Sequence, residues 1–430
     1  MASSSSGQHH VVVVGAGFAG LAAVRELAGR DVRVTLIDAR NFHTFQPLLY
    51  EVATAGLDPA DIAFPVRAMF GHAHNVVFRR ARVDHVEVPR QTVVLDTGES
   101  VSYDSLVVAT GVTASYFSIP GARERSHPLY TLADARSLRD ALLEQLESAV
   151  AVPEGNPGRA LHIVVIGGGA TGVEVAGAIV ELLDISVKHD RVPFDRSGTT
   201  VTLVDALDRL LGAFHEQSSE YARQELLRRR IEVRLGASVA SIDDDGVHLA
   251  DGAVLDADLI VWAAGVTVLG TLASSLPGER AGGGRVPVAA DLSLEDHPEV
   301  FVVGDAAAVP LGPAREDLAP QVAQTAIQSG RHAARQILAR LGGTTTRAFA
   351  YSDKGIMATI GRRAAVAELA GPWPLRGRVL RGTPGWLAWL GLHLVYLIGV
   401  RNRLVVLLNW SWRYVGWTSG PRIVVDEEAR

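Results

Sequence analysis

Two glycine-rich turns, a few acids, two glutamines and a lysine are the residues whose types and spacing can do chemistry in this chain of 430 residues. Gly15-x-Gly17-x-x-Gly20, with Phe18 and Ala19 inside it, follows the apolar run Val11 to Val14. Gly167-x-Gly169-x-x-Gly172, with Ala170 and Thr171 inside it, follows His162 to Ile166 in the same way. Glycine at these positions lets backbone approach a pyrophosphate, which then sits at the positive end of a helix. An acid ends the next strand of each copy: Asp38, followed by Ala39 and Arg40, after Val32 to Ile37, and Asp205 after Val201 to Val204. A carboxylate there can accept hydrogen bonds from a ribose.

The elements that must position these residues repeat. Each copy reads as buried strand, glycine turn, helix and acid-tipped strand, and each closes on a matching strand: Tyr103 to Val108 leading to Thr110 and Gly111, and Asp258 to Trp262 leading to Ala264 and Gly265. The second copy carries an insertion over about residues 183–200, which predicts a longer helix and a surface loop. Two dinucleotide sites in one chain are read as one for a held flavin and one for an exchangeable nicotinamide nucleotide. Asp305, just after the buried run Val300 to Val303, is placed to hold ribityl or diphosphate-side hydroxyls, a helix N-cap being the plain alternative. The fold class expected is α/β: two Rossmann-like dinucleotide-binding domains, the second inserted in the first, with a C-terminal membrane-associating helical region. The boundaries follow as 1–155 and 284–345 for the flavin domain, 156–283 for the nicotinamide domain and 346–430 for the last region, with Ala151 to Gly158 as the linker.

Composition narrows the chemistry. There is no cysteine, so disulfides, thiol nucleophiles, iron–sulfur clusters and redox dithiols are excluded for this chain alone. Hydrophobic residues at 48% and charged residues at 20% describe a globular protein, and a net charge of −6 argues against nucleic acid as a partner. His9, His10, His72, His74 and His85 lack metal-ligand spacing, so no metal site is assigned. Residues 1 to 10 do not read as a signal peptide.

At this point the chain resembles the type II NADH:quinone oxidoreductases, a family of two-dinucleotide-domain flavoprotein reductases. Four stretches carry the resemblance: Asn41 to Gly56, containing Gln46 and Pro47; Gly167 to Gly177; Ala319 to Gln328; and Tyr351 to Gly361 with the Trp-rich end. The resemblance implies that Gln46 and Pro47 run past a flavin ring, that Glu174 lies near nicotinamide and flavin, and that Gln324 and Gln328 lie on the quinone side, Gln324 also against FAD. Gln324 and Gln328, four apart on a helix, can offer amide donors to quinone oxygens, surface helix positions being the alternative. Lys354 can donate to quinone or favour an anionic flavin, an ordinary surface lysine being the alternative. Glu174 falls in the first turns of its helix, where the dipole tolerates an anion, and can hold nicotinamide or relay protons. Asp205 repels a 2′-phosphate, which favours NADH over NADPH, with Arg209 the nearby cation that could still reach one. The absence of cysteine argues against the disulfide-reducing and sulfide-oxidising relatives of the same plan.

Gly382 to Val400 is a run of 19 residues without formal charge, flanked by Arg376, Arg378 and Arg381 and by Arg401 and Arg403. A block with Trp410, Trp412, Tyr414 and Trp417 follows, residue types that settle at lipid headgroups. Residues of about 384–417 are therefore expected to lie on the bilayer surface, a spanning helix or a homodimer interface being the alternatives. The expected activity is non-pumping transfer of two electrons from NADH through FAD to a membrane quinone, peripheral on the cytoplasmic side of the cell membrane. The rivals are a soluble reductase of a protein acceptor such as a ferredoxin, and a flavin- and NADH-binding sensor.

Overall fold

The computed structural model describes residues 7–150, 158–188, 192, 194–268, 270–311, 317–370 and 377–415. The expected linker lies outside these except for Gly158, as do Arg376 and Trp417. Helices named below are α1 (Phe18–Leu27), α2 (Leu49–Ala53), α3 (Pro59–Ile62), α4 (Leu132–Val150), α5 (Ala170–Lys188), α6 (Ala323–Leu341), α7 (Gly382–Tyr396) and α8 (Val400–Val415).

The chain forms two compact units. The first takes residues up to His43 with 64–113 and 266–353, and the second takes 44–63, 114–265 and the residues from Lys354 onward. This partition by packing differs from the motif boundaries in giving 44–63, the residues from Ala114 up to the expected linker and those from Lys354 onward to the unit that holds the second glycine turn, and 266–283 to the other.

In the first unit, strand His10–Val14 is buried along its whole length, because both faces of a parallel sheet are covered and β-branched valines suit that environment. It lies between Arg33–Asp38 and Ser105–Val108 in a five-stranded sheet, with Val76–Arg80 at one edge and Val300–Val302 at the other. The small residues of α1 let α6 come against it so closely that a Cβ on Gly330 would collide with the carbonyl oxygen of Ala19. Glu26 of α1 meets Arg331 and Arg335 of α6 across the same contact.

The second unit repeats the plan. Strand His162–Ile166 lies between Thr200–Val204 and Leu259–Trp262, with Ile231–Arg234 and the short His127–Pro128 outside them. The insertion is in part the longer helix that was expected: α5 has 19 residues where α1 has 10. The middle of α5 packs on strand Ile356–Gly361, which pairs antiparallel with Ala364–Leu369 and through it with Arg378–Arg381, and a Cβ on Gly177 would strike the Ile360 carbonyl. Strand Arg378–Arg381 leads directly into α7.

The uncharged run before Val400 is not one helix. It breaks at Leu397, whose ψ is 132°, and at Gly399, whose φ is +89°, so α7 stops after 15 residues. That is about 22 Å of helix against a hydrocarbon core of about 30 Å. No helix among the described residues is long and apolar enough to cross a membrane, which overturns the spanning alternative.

Candidate functional site

The two glycine turns are built by the same collisions avoided. Gly15 (φ +104°) and Gly167 (φ +113°) lie where a Cβ would strike the backbone of Ala109 and of Ala263, and Gly20 and Gly172 lie where it would strike the carbonyl of Gly15 and of Gly167. Any side chain there would push the turn off its closing strand. Gly17 and Gly169 differ: a Cβ on either would meet nothing within 4 Å, so the open backbone face of each turn is the one a ligand can approach.

The acids are equally paired. Asp38 accepts from the N–H of Ala16 at 2.6 Å and of Arg40 at 2.7 Å. Asp205 accepts from the N–H of Gly168 and, at 2.7 Å, of Leu207. Each carboxylate thus braces the turn of its own copy and caps the bend behind its own strand, with its remaining lone pairs available to ribose hydroxyls. Arg209, the cation near Asp205, is exposed and donates to the Gly212 carbonyl at 2.6 Å.

The first turn has a further brace that sequence reasoning missed. His43, buried, donates from Nδ1 to the Ala16 carbonyl at 2.9 Å, and burial pushes its pKa down to about 4, so the ring is neutral at physiological pH. In the same unit Asp305 sits in the turn after Val300–Val302. Its Oδ1 is buried without a hydrogen-bond partner among the described residues, and burial, opposed by Arg285, pushes the carboxyl up to about 6. An orphaned acceptor, an open glycine backbone and a helix N-terminus together fit a hydroxyl-bearing dinucleotide such as FAD. Thr110 and Gly111 follow the closing strand, as Ala264 and Gly265 do in the second unit, where Gly265 faces the Phe117 ring.

Gln324 and Gln328 are on α6 with their amides turned to one segment. Gln328 donates to the Ser352 carbonyl at 2.9 Å and accepts from the Ser352 N–H at 3.0 Å, while Gln324 donates to Asp353 at 3.4 Å. Lys354 is exposed and reaches the Tyr396 hydroxyl at 3.5 Å. Gln46, placed by packing in the second unit, donates to the Tyr130 carbonyl at 3.3 Å, with Pro47 opening the short helical turn beside it.

Glu174 lies on α5 in the second unit. It receives the Thr359 N–H at 3.2 Å and the indole N–H of Trp389. Burial pushes its carboxyl up to about 8 against those two donors, and the charge of Glu51 pushes the same way. Burial therefore acts against the anion that the helix dipole would tolerate. A dipole contributes about 0.3–1 kcal/mol at an exposed helix end, whereas desolvating a carboxylate costs several. Glu51 is 2% exposed and accepts at Oε1 from the Tyr50 hydroxyl at 3.2 Å and the Trp410 indole N–H at 3.0 Å.

Trp410 was expected at the lipid headgroups and is instead 3% exposed, because its indole N–H is drawn to a buried carboxyl. α8 is two-faced. Asn402, Val406 and Trp410 face the protein, with Asn402 donating to the carbonyls of Ala60 and Ala63. Leu404, Leu407, Leu408 and Trp412 face outward, and Leu387, Leu392 and Val395 of α7 are exposed as well. Arg403 caps α7 by donating to the Leu397 carbonyl at 2.7 Å and the Val395 carbonyl at 2.8 Å. The Tyr414 side chain lies outside the described residues.

Residues 9–330 match the family described as pyridine nucleotide-disulphide oxidoreductase. The chain is 36% identical over 437 residues to a type II NADH:quinone oxidoreductase of Mycobacterium tuberculosis, covering 98% of this chain and 91% of that protein. A Staphylococcus haemolyticus protein of the same name is 29% identical over 84% of this chain and 90% of its own. Among solved structures, NDH2 from Plasmodium falciparum in complex with NADH shares the fold with a TM-score of 0.85 over 97% of this chain and all of that one, at 18% identity.

The Glu174 environment makes a pH-dependent stability prediction. An unfolded glutamate titrates at about 4.3, so the native state binds the extra proton between there and about 8, and stability is lost as pH rises through that window. Glu174→Gln keeps an acceptor for Thr359 and removes the ionisation. Calorimetry should show little gain in unfolding temperature at about pH 5 and a gain of several degrees at about pH 9. An equal change at both would exclude a buried proton.

Proposed function

The chain belongs to the type II NADH:quinone oxidoreductases, and we propose that it binds FAD on its first glycine-rich unit and NADH on its second and reduces a membrane quinone without pumping protons. The observation that carries this division is the repeated strand, glycine turn and acid, with the same carboxylate-to-backbone hydrogen bonds in both copies. The two copies differ in what surrounds them. The first has Asp305, whose orphaned oxygen suits a cofactor that stays. The second has Asp205 with no cation held against it among the described residues, which suits an exchangeable nucleotide lacking a 2′-phosphate.

FAD, when bound, supplies the carrier that takes a hydride and gives up two electrons. The protein's own part is binding, orientation and the proton balance. NADH delivers a hydride, and a quinone that leaves as quinol needs one proton more than the hydride contains. Glu174, holding a proton until about pH 8, is suited to supply it and be refilled from solvent. Gln324 and Gln328 are assigned to the quinone side, where the Gln328 amide holds the Ser352 backbone and the Gln324 amide donates to the Asp353 carboxylate, just before Lys354 in the chain.

The C-terminal helices supply the membrane contact. Leu387, Leu392 and Val395 of α7 and Leu404, Leu407, Leu408 and Trp412 of α8 are exposed apolar side chains, and α7 and α8 are each too short to span, which suits a peripheral enzyme resting on the cytoplasmic face of the membrane. Deleting the chain from Gly382 onward would also remove Trp389 and Trp410 from the acid cluster, so surface substitutions are the cleaner probe.

Three measurements follow. In anaerobic stopped-flow absorbance, NADH should bleach the flavin band and a short-chain quinone should restore it; recovery only with a protein acceptor would transfer the assignment to a soluble reductase. Asp205→Ala should lower the NADH-over-NADPH ratio of kcat/KM at least about tenfold, the scale of one lost ribose hydrogen bond and one relieved charge repulsion. Leu404→Ser, Leu408→Ser and Trp412→Ser together should weaken binding to lipid vesicles by more than about tenfold, each buried side chain being worth about 1.5–3 kcal/mol, while flavin content stays unchanged.

A further inference from the structure

α6 carries a row of polar side chains at steps of four: Gln324, Gln328, His332, Gln336 and Arg340, all in the first unit. Residues four apart share one face of a helix, so the row follows a single ridge. After Leu341 the chain turns at Gly342 and Gly343, the second with a φ of +68°, and residues 344–353 run back along that ridge. The order of the pairs is reversed, as an antiparallel strap requires. Gln336 holds Arg347, Gln328 holds Ser352 and Gln324 donates to Asp353.

Two residues of the strap are held at both backbone groups. The Arg347 N–H donates to Gln336 Oε1 at 2.7 Å, and the Arg347 carbonyl accepts from His332 Nε2 at 3.0 Å. The Ser352 N–H and carbonyl are engaged in the same way by the Gln328 amide, at 3.0 and 2.9 Å. Between them the Phe349 ring lies edge-on to His332 with centroids 5.3 Å apart, while the Phe349 N–H donates away from α6 to the Ala290 carbonyl at 2.7 Å. Thr346 donates to Asp291, which also takes Arg340 at 2.7 Å. The helix from Gln336 to Gln328 is about 12 Å long, and the strap from Arg347 to Ser352 reaches about 16 Å when extended, so it covers the distance with little slack.

Gln336 is 5% exposed and sits beside the core residues Ala333, Ala334 and Ile337. A buried amide without partners is costly, so a glutamine suits this place only while the strap lies against it. The strap buries little of itself: from 344 to 353 only Thr346, Phe349 and Tyr351 are even partly buried. Apolar burial therefore does little to place it, and the polar row does. The end of α6 to which it returns is fixed to the turn that holds Asp305, because Ser329 accepts the Gly304 N–H at 3.0 Å and Gln321 donates to the Asp305 carbonyl at 3.0 Å.

We propose that His332 and Gln336 are positioning residues for reoxidation by quinone: they fix the strap at Arg347 and through it hold Ser352 and Asp353 against Gln328 and Gln324. This rests on the assignment of Gln324 and Gln328 to the quinone side.

The test combines hydrogen–deuterium exchange over residues 344–353 of the purified FAD-loaded protein with its two half-reactions and its steady-state kinetics with a short-chain quinone. Gln336→Leu keeps the volume and removes both polar ends. His332→Phe keeps the ring against Phe349 and removes both nitrogens. Each should speed strap exchange and raise the quinone KM by about threefold to tenfold, the scale of one lost hydrogen bond, with kcat and the rate of flavin reduction by NADH within twofold of wild type. Gln336→Glu keeps an acceptor for the Arg347 N–H and should recover most of both effects. His332→Phe decides the matter where Gln336→Leu does not load FAD. Unchanged exchange would show that the row does not hold the strap. Faster exchange with an unchanged quinone KM, or equal losses in both half-reactions, would reduce the row to a structural support and overturn the proposal. Failure of quinone to reoxidise the wild type would overturn the functional reading instead, and the exchange measurement, which needs no quinone, would still decide whether the row holds the strap.

Discussion

Close backbone approach is the constraint on which the rest depends. At Gly15 and Gly167 the turn leaves its strand with positive φ and passes against the backbone of the closing strand, and at Gly20 and Gly172 the helix starts against the turn itself. With a Cβ at any of these four places the turn, the helix N-terminus and the acid-tipped neighbouring strand would lose their register. Asp38 and Asp205 then lock what the glycines permit, each bridging from the end of one strand to the turn after another. The first turn is held from a second side by His43, whose donation to Ala16 leaves the carbonyl and the N–H of that residue both engaged.

Duplication lets one backbone solution serve two ligands, and the differences between the copies come from what each unit packs beside its turn. In the first unit that is Asp305, an acid raised by burial with an oxygen left unsatisfied. In the second it is Glu174, an acid raised further and surrounded by aromatic side chains. Buried ionisable groups are costly to stability, and each unit carries one at the place where chemistry is expected.

The C-terminal helices join two tasks that are usually considered apart. Their outer face is apolar and exposed, while their inner face sends Trp389, Trp410, Asn402 and Asn409 to carboxyls and carbonyls in the protein. Tryptophan suits the inner position because it fills volume as a hydrophobe yet delivers one directed donor, so a carboxyl can be buried beneath it without being left unpaired.

The sequence by itself determined the two dinucleotide units, their acids, the exclusion of thiol chemistry and the family, because glycine spacing, strand-ending carboxylates and a missing residue type are local facts that any folded context must respect. It also placed Glu174, Gln324, Gln328 and Lys354 among the residues that matter, on resemblance. Only the tertiary structure decided the state of those residues. Burial raises the Glu174 carboxyl, a shift that its helix position alone does not suggest. The hydrogen bond from Trp410 to Glu51 joins residues 359 positions apart, so nothing in the local pattern distinguishes that buried tryptophan from exposed Trp412 two residues on. The break at Gly399 likewise separates an uncharged run into two short helices, because a backbone turn and the packing on either side override a hydropathy pattern that is continuous along the chain.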